Sequence, residues 1–87
     1  MVLTITMHAL ADPTRRKILE LLKKRDLAVS EIAKYFNITL PSLSHHLNVL
    51  KRANLITYRR RGQELIYSLN LSVFEEVAKV LVKFFKK

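Results

Sequence analysis

The sequence predicts a mainly α-helical fold carrying one small β-hairpin, and three observations predict it. Apolar residues recur at helical spacing from Ile18 to Leu50, two short runs rich in β-branched and aromatic residues then flank Gly62, and helical spacing returns after Ser72. Residues 1–87 read as one domain, without a linker, an internal repeat or a low-complexity tract. A domain of this size hides only about 60–65% of the surface its unfolded chain exposes, so a second subunit is expected to complete the core.

Each element follows from its own punctuation. Asp12 before Pro13 is an N-cap with proline at the first helical position, and Ile18, Leu19, Leu21 and Leu22 form an inner face. The polar run Lys23-Lys24-Arg25-Asp26 ends that helix after about twelve residues. In "VSEIAKYF", Val29, Ile32, Ala33 and Phe36 sit at helical spacing, and Asn37 is expected to turn the chain through the left-handed region. Ala28 stands where a capping Ser or Thr is more usual, so a weaker helix start is expected there. Thr39 caps the next helix, Pro41 is tolerated in its first turn, and Leu43, Leu47 and Leu50 make a narrow apolar stripe. Two short helices joined by a few residues form a helix-turn-helix.

"LITYRRR" and "ELIYSLN", joined at Gly62-Gln63, are expected to form a two-stranded wing. Ser72 with Glu75 three residues on reads as a capping box opening the last helix. Its Val73, Phe74, Val77, Val80, Leu81, Val82, Phe84 and Phe85 cover about 200° of the helix, twice the stripe that packing on one domain requires. A partner surface is expected to bury the surplus; the competing account folds the wing over it.

Charge points to the partner. Sixteen Lys and Arg against seven Asp and Glu give +9, and 49% hydrophobic residues make this a folded basic domain that suits a polyanion. The chain has no cysteine, which excludes disulfides, thiolate nucleophiles, Cys-ligated zinc and thiol redox sensing. With Leu43, Leu47 and Leu50 inward, helical geometry turns Ser44, His45, Asn48 and Arg52 outward, with Thr39, Pro41, Ser42 and Lys51 nearby. Short polar side chains there can bond base edges in a major groove while Lys and Arg meet phosphates. Arg59, Arg60 and Arg61 in the hairpin form a second contact point for a minor groove or the backbone. No Asp or Glu lies between Glu31 and Glu64, so nothing in that run repels phosphate. A polar helix face is ordinarily only solvated; its combination with a wing and excess charge makes duplex DNA the expected partner.

Other functions are poorly supplied. His45 and His46 diverge by about 100° and lack the i, i+4 spacing of a chelating pair, so His46 is expected to be a packed, hydrogen-bonded histidine. His8 supports no site. The carboxylates at 12, 20, 26, 31, 64, 75 and 76 are scattered, and neither a Gly-rich phosphate loop nor an activated nucleophile is visible, so neither an enzyme nor a small-molecule substrate is expected. "MVLTITMHALAD" lacks the basic start of a signal peptide, and no apolar run approaches the roughly 18–20 residues of a membrane span, which predicts a cytoplasmic protein. Lys79, Lys83, Lys86 and Lys87 are assigned to the solvated side of the last helix, and membrane contact is not expected. A winged helix serving only protein association is the alternative, and it predicts weak duplex binding indifferent to sequence.

"ALADPTRRKILELL", "EIAKYFNITLPSLSHHLNVLKRANLI" and "RRRGQELIYSLN", in that order and spacing, resemble the ArsR/SmtB winged-helix repressors over nearly the whole chain, and within them the SdpR-type autorepressors. The resemblance implies five helices and a wing, the helix from about Thr39 in the major groove, and a repressor on a palindromic operator, often its own promoter. It implies a homodimer joined by the first and last helices, which places Leu3, Met7, Val77, Val80, Leu81, Phe84 and Phe85 at the interface. Carried over by position, Ser42, Ser44 and His45 face bases and Arg59 to Arg61 lie in the wing. The chain departs from the family's metal sensors, because "DLAVSEI" has no Cys and "SVFEEVAKVLVKFFKK" offers Glu75 and Glu76 but no His. No metal or cofactor is therefore expected, and release of DNA falls to an inducing protein partner, sequestration or concentration.

Overall fold

In a computed structural model, which describes residues 3–86, the elements run α1 Leu3–Leu10, α2 Pro13–Lys24, β1 Leu27–Ala28, α3 Val29–Ala33, α4 Leu40–Arg52, β2 Ile56–Arg61, β3 Glu64–Leu69 and α5 Leu71–Phe85. Met1, Val2 and Lys87, to which the sequence assignments extend, lie outside the described residues. Asp12 caps α2 as expected: its Oδ1 accepts the Thr14 and Arg15 backbone N–H groups at 2.8 and 3.1 Å. Ile18, Leu19 and Leu22 are buried on α2, and they meet Leu43, Leu47 and Leu50 of α4, Ile32 of α3 and Leu27 of β1 in one core. Val49, Leu55, Ile56 and Tyr67 complete it under the wing.

The sheet has three strands rather than the two expected. Leu27 and Ala28 pair antiparallel with Tyr67 and Ile66, giving the order β1-β3-β2. Two residues are too few to show a period-2 pattern, so only the long-range partner reveals them as strand. The hairpin itself stands as expected, turning at Gly62 with φ +64° and pairing Ile56–Arg61 with Glu64–Leu69.

Three boundaries also differ from expectation. Helix α3 stops at Ala33 and continues as single turns through Tyr35 and Phe36, and Asn37 does not take the left-handed conformation. That conformation belongs to Asn54 with φ 60°, where Leu55 N–H reaches the Leu50 carbonyl and Asn54 N–H the Lys51 carbonyl, closing α4 in a Schellman motif. The Ser72–Glu75 capping box does not form, because α5 begins two residues earlier, at Leu71 with Asn70 in the cap position. The Asn70 side chain makes no cap bond; its Nδ2 donates to the Asn54 carbonyl at 2.9 Å and so ties the end of α4 to the start of α5. Ala28, as expected, has no capping side chain; Glu31 instead accepts the Ala28 N–H at 3.0 Å.

The Cα radius of gyration is 13.6 Å with extents of 48 × 24 × 21 Å, against about 12 Å for a typical domain of this length. The molecule is drawn out, and the excess surface is apolar at both terminal helices. Val77 is buried at 4% exposure and Val73 and Phe74 pack against the core, whereas Phe84 is 74% and Phe85 85% exposed. The apolar coat of α5 is thus divided: its first half belongs to its own domain and its second half, with Leu81 and Val82, faces outward. Ile5 and Met7 of α1 are exposed as well.

Candidate nucleic-acid interface

Helix α4 is built to present its first turns. Thr39 Oγ1 accepts the Ser42 N–H at 3.2 Å, Pro41 sits where no backbone donor is needed, and Leu43, Leu47, Val49 and Leu50 fix the opposite side in the core. Thr39, Pro41, Ser44, His45 and Asn48 are consequently exposed, and Ser42 is half-buried. His46 points back under the helix, and its ring centroid lies 5.6 Å from that of His45.

The basic residues at the far end of α4 also make contacts within the domain. Lys51 places its ammonium 4.7 Å over the Tyr58 ring, a cation–π contact that joins α4 to β2. Arg52 lines a cavity of about 340 Å³ with Ile5 of α1, Asn54, and Val73 and Glu76 of α5. Lys51 and Arg52 follow Asn48 by three and four residues, one turn further along α4.

The wing arginines are not one cluster. Side chains alternate along a strand, so Arg59 and Arg61 share one face of the hairpin and Arg60 takes the other, with Tyr58. Arg59 donates to Asp26 at 2.9 Å and lies 3.4 Å from Ser68 Oγ, and Arg61 is 3.9 Å from Glu64. Arg60 alone among the three has no ion pair among the described residues. The carboxylate-free run in the sequence is thus not carboxylate-free in space. The Arg59 hydrogen bond, then Ser68, holds the Asp26 carboxyl below its ordinary range.

A buried arginine holds α4 in place from behind. Arg15, 6% exposed, donates from Nε to the Ala9 carbonyl at 2.8 Å and from Nη2 to the His8 carbonyl at 3.0 Å. Its Nη1 lies 3.2 Å from His46 Nδ1; a guanidinium has only donors, so His46 accepts through Nδ1 and is packed and hydrogen-bonded as the sequence suggested. Arg16 adds a 2.9 Å bond to the Leu10 carbonyl, so adjacent arginines satisfy the open carbonyls at the end of α1. Asp12 sits 4.0 Å from His46. Burial pushes the Asp12 carboxyl up, but the Arg15 N–H, then the Thr14 N–H and the Arg15 charge, bring it below its ordinary value. Among the described residues no three His, Asp or Glu side chains come together as a metal site would need.

Sequence reasoning did not single out Arg15, Asp26 or Leu40. Arg15 had a signal, since it falls in line with Ile18, Leu19 and Leu22 on the apolar stripe of α2. Asp26 had none, because its partner is 33 residues away. Leu40 keeps the spacing of Leu43, Leu47 and Leu50, but on the first turn of α4 it is 62% exposed where those three are buried.

A helix-turn-helix followed by a hairpin, with the second helix exposed along a polar face, defines a winged helix-turn-helix domain. The chain belongs to the arsR family of bacterial regulatory proteins, whose family model matches residues 12–58. It is 49% identical over 79 residues to the transcriptional repressor SdpR of Bacillus subtilis, covering 91% of this chain and 88% of that one. The crystal structure of an ArsR family transcriptional regulator superposes with a TM-score of 0.88 at 33% identity, over 93% of this chain and 89% of that one. The homodimeric winged helix-turn-helix DNA-binding domain of a possible ArsR-family regulator from Mycobacterium bovis superposes at 0.78, with 32% identity over 92% of this chain and 75% of that one.

Proposed function

We propose that this chain is a homodimeric, sequence-specific transcriptional repressor that grips a palindromic operator, each subunit setting the first turns of α4 into a major groove. Ser42, Ser44, His45 and Asn48 meet base edges there, and Arg60 lies against the phosphates. The observation that carries this reading is the exposed polar face from Thr39 to Asn48, fixed from behind by four buried apolar residues. The net charge of +9 supplies the general attraction to duplex. The dimer buries Leu3 and Met7 of α1 against Val80, Leu81, Phe84 and Phe85 of α5, the residues the domain itself leaves at least partly open. It also supports this reading that a structural neighbour is a homodimeric DNA-binding domain and a relative is a repressor.

The protein works in the cytoplasm, without a metal or cofactor and without catalysis; no helix among the described residues is long and apolar enough to cross a membrane. Release of the operator comes from an inducing protein partner, sequestration or dilution. Selection of bound duplexes from a random library with the purified chain tests the proposal. Enrichment of an inverted repeat, with half-sites about one helical turn apart or a multiple of it, is expected. Failure to enrich any sequence contradicts it and leaves a winged helix used for protein association.

A further inference from the structure

Three large apolar side chains, Tyr35, Ile38 and Leu40, stand exposed within six residues at the entry to α4, whereas Phe36 among them packs on the core. Tyr35 lies in the turn that ends α3, and Ile38 precedes the cap, where an apolar residue commonly steers the chain into the helix. Leu40 has neither duty. It occupies the first helical position, is 62% exposed, and lies one turn before Ser44, which in turn lies one turn before Asn48. Four residues advance about 400°, so the three side chains step round the helix by only about 40° each and form one ridge. The ridge begins apolar and continues polar.

We infer that Leu40 is a specificity residue that reads a thymine through its C5-methyl group. The inference deepens the operator-binding proposal and rests on it. The thymine methyl is the one apolar group on base edges in the major groove, and apolar side chains recognise it by contact alone. In helix-turn-helix docking the first residues of the second helix reach the bases, and Leu40 is the first of α4. A thymine methyl set against this exposed leucine takes apolar surface of both out of water. The same side chain has no hydrogen-bonding group, so opposite a cytosine amino group or a guanine carbonyl it would leave polar atoms without partners.

The test uses the full chain and selected duplexes. Random-library selection with the wild-type chain should fix a thymine at one position in each half-site, and selection with L40A should relax that position while keeping the others. The wild-type consensus duplex is then made with deoxyuridine in place of that thymine, which removes only the methyl group. Wild type should lose about tenfold in affinity over the two half-sites, the size expected for two methyl contacts, while L40A should change by less than about twofold. Wild type binding the two duplexes equally, or L40A retaining the thymine preference, overturns the inference. Because the first comparison uses only the wild-type chain, a folding defect in L40A cannot obscure it. If wild type enriches no sequence, operator binding itself fails, an outcome distinct from a consensus indifferent to the methyl.

Discussion

Replacing Arg15 with Leu removes the side chain that closes the end of α1 onto α2 and α4. The Ala9 carbonyl, on a residue fully buried, has Arg15 Nε as its partner, and leaving such a group unpaired costs about 1–3 kcal/mol. The His8 carbonyl keeps the Ala11 N–H at 3.2 Å, so the loss there is only a net hydrogen bond of about 1 kcal/mol. Removing a buried charge returns part of its desolvation cost. The expected destabilisation is about 2–4 kcal/mol, large against the 5–15 kcal/mol that holds a small protein together. It corresponds to a fall of roughly 10–25 °C in Tm for a chain of this size. Urea melts followed by circular dichroism measure it, at one fixed protein concentration because dimerisation makes stability concentration-dependent. Arg15→Lys should fall between, since an ammonium keeps the charge but loses the planar fork that reaches two carbonyls and His46 at once. A Leu variant within about 0.5 kcal/mol of wild type refutes the reasoning, because it would mean the Ala9 carbonyl finds another donor.

Leu81→Glu or Phe84→Glu should shift the protein from dimer toward monomer, or unfold it, in sedimentation at micromolar concentration; if both remain stable dimers the interface lies elsewhere. Stoichiometric zinc, copper or nickel should leave operator affinity unchanged, and a tenfold change, about 1.4 kcal/mol, that survives replacement of all three His would show that the carboxylates hold a metal. The Asp26 carboxyl is held below its ordinary value of 3.8 by Arg59 and Ser68, so this contact contributes fully above that pH and is lost as pH falls through the lower folded-state value. Asp26→Asn should therefore make the acid loss of stability shallower in melts taken from about pH 6 to pH 3, and an unchanged slope would contradict the linkage.

The parts that sequence makes legible are those set by short-range periodicity and punctuation. Leu43, Leu47 and Leu50 recur at helical spacing and Asp12-Pro13 caps locally, so α2 and α4 are readable with the chain alone. The polar face of α4 follows as the complement of that stripe. What needed coordinates was set by residues far apart in the chain. Asp26 meets Arg59 across 33 positions and divides a run of three arginines that looks uniform in sequence. The contact of Lys51 with the Tyr58 ring appears only once the hairpin brings the two together. The capping box at Ser72 is chemically sound but loses to Asn70, whose amide is engaged by the Asn54 carbonyl one element earlier. Val77 reads like Phe84 in an apolar helix, and only packing separates the inward half of α5 from the outward half.

The central claim is that α4 reads sequence while the wing supplies charge, and a salt titration of His45→Ala and Arg60→Ala on operator and scrambled duplex tests it most directly. His45 is exposed on the polar face, so its loss should cost about 1–3 kcal/mol on the operator and much less on scrambled DNA. Arg60 is the wing arginine without an ion pair among the described residues, so its loss should weaken both duplexes alike and lower the salt dependence by about one ion per subunit. If His45→Ala instead weakens both duplexes equally while Arg60→Ala abolishes only the operator preference, the wing is the reader and the account is contradicted.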